Sequence, residues 1–274
     1  MKILKRLLIT GANGKLGSIC RTRLRHLAEI IRVSSQNDLY KTNNNEEIFH
    51  CSLEDKGAVE KLVKGVDGII HLAAHTEEAN WETIKKSNID GMFNLYEGVR
   101  KTSAYPRIIF ASSNHTTGFY KQTDLLNAYT SPKPDGLYGV SKAFGEALAS
   151  LYYHKFGIET ANIRIGSCVV KPINKRMLST WLSHDDLIQL IERIFMVDKL
   201  GNPTIYGVSN NDASWWDNSE VSYLGWKPKD NANVFCNKIM NHNSFCTLHG
   251  LFHRTWCSVK TFLFLVEIYR STQD

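Results

Sequence analysis

Tyr138 and Lys142 lie four residues apart in Tyr138-Gly139-Val140-Ser141-Lys142, a spacing that puts both side chains on one face of a helix. An ammonium held beside a phenol stabilises the phenolate and draws its pKa down from about 10 toward working pH. A phenol tuned this way can take a hydroxyl proton as hydride leaves the adjacent carbon. Such a pair is structural in most proteins. Its weight here comes from Phe110-Ala111-Ser112-Ser113-Asn114-His115, which reads as a strand end. In a parallel sheet the carboxyl ends of the strands face the ligand crevice, so Ser113 is the candidate hydroxyl for positioning a substrate.

A second cluster suits a pyrophosphate. Thr10-Gly11-Ala12-Asn13-Gly14-Lys15-Leu16-Gly17 follows an apolar run and opens an amphipathic stretch. The glycines allow a tight turn and close backbone approach, and a helix start at Lys15 presents unpaired N–H groups with positive partial charge. The strand–turn–helix context is what separates this from an ordinary tight turn. An acidic residue normally closes the second strand and binds the adenosine ribose. The chain instead has Arg32-Val33-Ser34-Ser35-Gln36, with Asp38 the nearest acid. An arginine nearby can accommodate the extra phosphate of NADP, so these residues leave NAD and NADP both open. Arg32 also reads as a strand-edge charge in water.

These groups need a frame. Apolar runs predict strands over residues 4–10, 30–33, 48–51, 68–72, 107–111 and 160–165. Helical periodicity is expected over 15–26, 54–65, 81–101, 138–156 and 185–195, with a polar loop at 42–47. Strands alternating with helices imply an α/β fold, a doubly wound parallel sheet of the Rossmann type with a small C-terminal substrate-binding portion. The expected division is a cofactor-binding and catalytic domain over 1–235, its substrate-binding part mainly within 167–230, and an atypical tail over 236–274.

The 274 residues are 43% apolar and 22% charged, which excludes a wholly disordered chain, a collagen and a disulfide miniprotein. A formal charge of +6 demands neither nucleic acid nor membrane; an anionic substrate or cofactor can use it. Six cysteines without regular spacing do not form a disulfide framework. With no secretory signal pattern and no long uncharged apolar stretch, the cytoplasm is the default expectation. In the tail, Cys246, His249, His253 and Cys257 could share a helical face and hold zinc, but Gly250 interrupts them and the spacing is not that of a common finger, so no metal site is expected. The aromatic-rich tail is expected to pack on the body or mediate association.

The glycine turn, His71-Leu72-Ala73-Ala74, the serine-rich strand end and Tyr138–Lys142 together resemble the extended short-chain dehydrogenase/reductase superfamily. The strings ASSNHTTGFY, PDGLYGVSKAFGE, RIGSC, KRMLSTWLSHDDL, NDASWWDNS and LGWKPKDNA are similar to those of bacterial uronate dehydrogenases, over roughly residues 5–233. That resemblance implies oxidation, with NAD, of the anomeric carbon of cyclic glucuronate or galacturonate to an aldarolactone. It implies Tyr138 as general base, Lys142 tuning it and binding the nicotinamide ribose, and Ser113 holding the reacting hydroxyl. Asn114 and His115 would contact sugar hydroxyls, Ser167 the substrate, and Cys168 the nicotinamide side. Arg176 would grip the carboxylate, which a planar guanidinium can fork bidentately. Gly11, Asn13, Gly14, Lys15, Leu16 and Gly17 would carry the pyrophosphate. Leu72, Ala73 and Ala74 would lie along the cofactor, with His75 and Thr76 nearer the substrate. Asn88 matches the asparagine that supports a proton relay in the superfamily, and also reads as a helix-face polar residue.

Two positions depart from that pattern. Ser35 and Ser52 stand where the family carries aspartates near the adenosine, with Leu53 beside them. Each lost charged hydrogen bond is worth about 1.5–3 kcal/mol, which predicts weaker NAD binding or tolerance of NADP with the chemistry preserved. The expected partner is a small sugar acid, with no nucleic acid or membrane, in a homo-oligomer. Two other readings stay open: a sugar-nucleotide epimerase or dehydratase, which usually carries a larger C-terminal portion, and a non-enzymatic dinucleotide sensor.

Overall fold

Leu7, Leu8 and Ile9 of strand β1 (Leu4–Thr10) are fully buried, and their side chains alternate between two separate apolar cores. A strand buried on both faces belongs in the middle of a parallel sheet covered by helices. The computed structural model describes residues 4–244 and shows this arrangement. With β2 (Ala28–Ser35), β3 (Glu46–His50), β4 (Gly68–His71), β5 (Arg107–Ser113), β6 (Thr160–Ile165) and β9 (Thr204–Gly207), β1 builds a seven-stranded sheet in the order β3-β2-β1-β4-β5-β6-β9. Every pairing in it is parallel. Two short strands, β7 (Ser167–Cys168) and β8 (Trp181–Leu182), pair separately.

One face packs against α1 (Lys15–Arg23) and α7 (His184–Met196), through Cys20, Leu187, Leu190 and Ile191. The other packs against α2 (Lys56–Leu62), α4 (Gly91–Arg100) and α5 (Leu137–Phe156), through Val59, Leu62, Leu95, Tyr96 and Tyr152. The chain reverses winding between β1 and β4, so the carboxyl ends of those strands open a crevice. The remaining helices are α3 (Trp81–Ile84), α6 (Met177–Thr180) and α8 (Cys236–Ser244).

The doubly wound parallel sheet is the expected one. Its details differ in instructive places. The single helix expected over 81–101 is α3 and α4 joined by a π-helical turn, Lys85–Asp90. Strands β7, β8 and β9 lie outside the expected runs; with two, two and four residues they offer too short a pattern to distinguish from loop. The expected polar loop 42–47 gives way to β3 at Glu46, because Glu46 is buried against Arg21 at 2.9 Å rather than solvated.

Arg32 is neither a strand-edge charge in water nor a receptor for a phosphate. It is 7% exposed. Its guanidinium donates to Glu47 Oε2 at 3.0 Å and to the Leu62 and Lys64 carbonyls at 2.5 and 3.0 Å. It closes the C-terminal end of α2, where carbonyls lack helical partners.

Among the described residues, no helix is long and apolar enough to cross a membrane, and no cluster of His, Cys, Asp and Glu could hold a metal ion. The Cys246–His249–His253–Cys257 set and most of the 236–274 tail lie outside the described residues.

Candidate active site

The glycine turn comes first along the crevice. Gly11 has φ +65°, in the left-handed region, and a Cβ there would lie 2.7 Å from the Ala73 nitrogen. Only glycine lets β1's exit and β4's exit touch at this point. Gly17 sits directly on the Gly11 carbonyl and Ala12, which locks the turn against the start of α1. Gly14 caps α1 in extended conformation with no side-chain cap and no acidic residue in the first turn. The first backbone N–H groups of α1 are therefore available to an anion.

From that turn one cleft of about 700 Å³ runs across the carboxyl edge of the sheet. It brings together Gly11, Asn13, Gly14, Lys15, Leu16 and Gly17 at one end. Leu72, Ala73, Ala74 and Thr76 line its middle. Ser113, Asn114, His115, Tyr138 and Lys142 meet Ser167, Cys168 and Arg176 at the other end. Ser35 lies at the margin shared with a smaller adjoining pocket of about 240 Å³, which also takes Leu53 and His75. Ser52 lines neither; its hydroxyl accepts from Gln36 Nε2 at 3.0 Å. No carboxylate follows β2 on this margin before Glu54.

Lys142 is 4% exposed, and its Nζ donates to the Ala111 carbonyl at 2.7 Å. The same nitrogen stands 5.5 Å from the centre of the Tyr138 ring and 5.0 Å from that of Phe110. Burial pushes the ammonium down to about 7, and the charge of Glu146, one turn along α5, pulls it upward. Glu146 is held by Ser112 Oγ at 2.5 Å and by Arg164 at 2.8 Å, a buried network directly behind Lys142.

The expected lowering of the Tyr138 phenol is not what this arrangement produces. Burial raises it above its ordinary value, and the Ser113 hydroxyl pulls the other way. Lys142 is directed at a backbone carbonyl rather than at the phenol oxygen, so its charge does not offset the burial.

His71, beneath Lys142, is held neutral. Burial and then the Lys142 charge push its pKa down to about 3. Its Nδ1 lies 2.8 Å from Thr10 Oγ1, which also accepts from the Ala73 N–H at 3.3 Å.

At the far end, Asn114 sits between the Ile165 carbonyl and Arg176. The two neighbours assign its amide orientation: only with the nitrogen toward that carbonyl, at 3.1 Å, and the oxygen toward Arg176 Nη2, at 2.9 Å, does each atom meet a partner of the opposite kind. Arg176 makes no ion pair with a carboxylate among the described residues. Ser167 Oγ is 2.8 Å from Thr180 Oγ1, held by the β7–β8 pairing. Burial raises the Cys168 thiol to about 12, so it is an uncharged wall of the cleft.

Asn88 projects from the π-helical turn as a buried clamp. It bonds both backbone groups of His75, and its Nδ2 donates to Ser141 Oγ at 2.9 Å. This ties the loop after β4 to α5. Three further residues escaped the sequence reading. Glu78 accepts from the Leu137 and Tyr138 N–H groups at 2.8 and 3.2 Å, capping α5 in place of Gly136. Asp135 binds His115 Nδ1 at 2.9 Å. Glu146 supports Lys142 as described. Only Asp135 and Glu146 left a trace in the sequence, as members of the PDGLYGVSKAFGE string.

Residues 7–183 match the NAD dependent epimerase/dehydratase family. The uronate dehydrogenase of Agrobacterium fabrum is 53% identical over 232 residues, covering 85% of this chain and 87% of that protein. Among solved structures, a tyrosine-to-alanine variant of uronate dehydrogenase from Agrobacterium tumefaciens, complexed with NAD, superposes with a TM-score of 0.85 at 52% identity. That superposition covers 86% of this chain and 89% of the other. The glucuronic acid dehydrogenase of Chromohalobacter salexigens gives the same TM-score, 0.85, at 50% identity over 87% of this chain and 90% of that one.

Proposed function

The chain belongs to the uronate dehydrogenases within the NAD dependent epimerase/dehydratase family, and on that premise we propose that it oxidises the anomeric carbon of a cyclic hexuronate, galacturonate or glucuronate, to an aldarolactone with NAD. The carrying observation is the single cleft that joins a glycine-turn anion site to Tyr138, Lys142, Ser113 and an arginine without a carboxylate partner among the described residues.

The residues present fit a dinucleotide. The Gly11–Gly14 turn, with glycine at both ends, leaves backbone N–H groups for the pyrophosphate, and the small residues Ala73 and Ala74 leave a flat path toward Lys142. Gly11, Asn13, Gly14, Lys15, Leu16 and Gly17 would hold the phosphates, Ser35 and Leu53 the adenosine end, with Ser52 set behind the lining and bonded to Gln36, and Leu72, Ala73, Ala74, Lys142 and Cys168 the nicotinamide end. Bound NAD supplies the hydride acceptor.

The chain's own groups supply the rest. Arg176 forks onto the substrate carboxylate, displacing its bond to Asn114. Asn114, Ser167 and Thr76 then take sugar hydroxyls. Ser113 holds the anomeric hydroxyl against Tyr138, whose phenolate form takes that hydroxyl's proton and becomes the phenol as the anomeric C–H bond gives up its hydride. Burial acts on both partners, raising the phenol and lowering the Lys142 ammonium, and Glu146 opposes the second of these shifts, which favours the charged lysine beside Tyr138. A neutral His71 below Lys142 adds no competing positive charge.

Absorbance of reduced cofactor, followed after mixing the protein with NAD and either uronate, tests this reading. Reduction by at least one of them is expected; none by either overturns it. Arg32 is taken up by the end of α2, so among the described residues no lysine or arginine lines the smaller pocket beside Ser35, whereas the Glu54 carboxylate does; NAD is therefore the cofactor proposed, and Glu54 disfavours the extra phosphate of NADP. Self-association is also proposed, supported by the exposed apolar Val140 and Leu151 on α5; sedimentation as a monomer would remove it.

A further inference from the structure

Asp135 lines no part of the cleft, yet it is fastened to a residue that does. Both of its carboxylate oxygens lie 2.9 Å from His115 Nδ1. Room for that carboxylate exists only because Gly118 lacks a side chain; any Cβ there would overlap Asp135 Oδ2. The backbone of His115 is held as firmly. Its N–H donates to Ser113 Oγ at 3.2 Å, and its carbonyl presses on Gly139 in the first turn of α5. The imidazole then meets the Tyr138 ring edge-on, with centres 5.7 Å apart and planes at 72°.

A carboxylate can only accept, so the nitrogen facing it must carry the proton. In the neutral imidazole that leaves Nε2 with the lone pair, and Nδ1 with none. Nε2 has no hydrogen-bond partner among the described residues, and His115 lines the cleft beside Ser113 and Tyr138.

We propose that Asp135 is a positioning residue that holds His115 in the Nδ1–H form and so presents Nε2 to the cleft as an acceptor for one hydroxyl of the sugar acid. The inference rests on the uronate reading above and adds to it a means of choosing among sugar acids. An accepting nitrogen at a fixed place rewards a hydroxyl there and is left unpaired by an epimer whose hydroxyl points away.

The test compares wild type with Asp135→Ala and Asp135→Asn, using galacturonate and glucuronate as substrates. The Ala variant loses the carboxylate; the Asn variant keeps an oxygen that can accept from Nδ1–H. Asp135→Ala is expected to raise KM about tenfold for the preferred uronate, the size of one lost hydrogen bond, and to narrow the preference between the two epimers. Its kcat and NAD affinity are expected to stay near wild type, and Asp135→Asn is expected to restore most of the KM. Nitrogen spectra of the wild-type protein with isotopically labelled histidine are expected to show the His115 proton on Nδ1, assigned by loss of the signal in His115→Gln. An Nε2–H form of His115 overturns the proposal. So does an unchanged KM in Asp135→Ala, or a loss of NAD affinity and thermal stability that Asp135→Asn does not restore, since that would mark a mere brace. If wild type reduces no NAD with either uronate, the uronate reading has failed, and the spectra alone decide the state of His115.

Discussion

Asn88 holds both backbone groups of His75: its Oδ1 accepts from the His75 N–H at 2.7 Å and its Nδ2 donates to the His75 carbonyl at 3.0 Å. With the further bond to Ser141, one side chain joins the loop after β4 to the helix that carries Tyr138 and Lys142. Asn88→Ala leaves two partly buried backbone groups without partners, a loss of about 1–3 kcal/mol. A lower melting temperature and a reduced kcat are expected together; unchanged values of both would take Asn88 out of this role.

Tyr138→Phe removes the proton acceptor and keeps the ring. Turnover is expected to fall by roughly 10²–10⁴-fold, the usual worth of a positioned general base. NAD affinity, measured by calorimetry, should remain. Full turnover in the variant would mean that another group takes the proton.

Arg32→Leu separates structure from cofactor choice. The substitution strips partners from the Leu62 and Lys64 carbonyls and from Glu47. A stability loss of about 1–3 kcal/mol is expected by chemical denaturation. The ratio of NAD to NADP affinity should not move. A selective loss of NADP affinity would show that the guanidinium reaches the cofactor after all.

Ser35→Asp restores a carboxylate at the end of β2, on the margin of the smaller pocket. Tighter NAD binding is expected, by about 1.5–3 kcal/mol if the new hydrogen bond is charged. NADP should weaken through repulsion of its extra phosphate. Equal effects on the two cofactors would place the adenosine ribose elsewhere.

Acid should unfold the protein partly through Glu46. Burial alone would raise this carboxyl, but hydrogen bonds from Arg21 and Thr42 outweigh it and hold the pKa at about 2. A carboxyl depressed in the folded state stabilises it above the unfolded pKa and loses that contribution as pH falls through the folded one. The affected window therefore runs from about 4.5 down to about 2. Melting temperatures across that range should fall less steeply in Glu46→Gln than in wild type. Parallel curves would count against the pair.

What could be read in the sequence was local. The glycine turn, the Tyr138–Lys142 spacing and the serine at the end of β5 each declare themselves within a few residues, because turn geometry and helical periodicity act at that range. The supporting residues do not. Glu78 caps a helix that starts 59 residues later, and Asn88 reaches Ser141 across 53. No pattern along the chain marks such pairs, since they exist only once the sheet has brought β4 and β5 side by side. Arg32 failed for the same reason. Its place near the end of β2 suggested solvent or a phosphate, and its partners come from α2, which the strand alone does not reveal. Tyr138 shows the limit for energetics. Spacing located the ammonium near the ring, yet burial outweighed it, and burial is a property of the assembled fold.

The wide turn at Lys85–Asp90 makes this region sensitive to length as well as to composition. An α-helix advances about 100° per residue, and a π turn holds one residue more than regular winding needs. A natural or engineered chain lacking a single residue there could close into an unbroken helix, but everything ahead of the deletion would be rotated by roughly that angle relative to α4. Asn88 could then no longer face Ser141 while α4 kept its place against α2. Deletion scanning through this turn should therefore be far harsher than side-chain scanning, and insertions elsewhere on the same rod should not compensate.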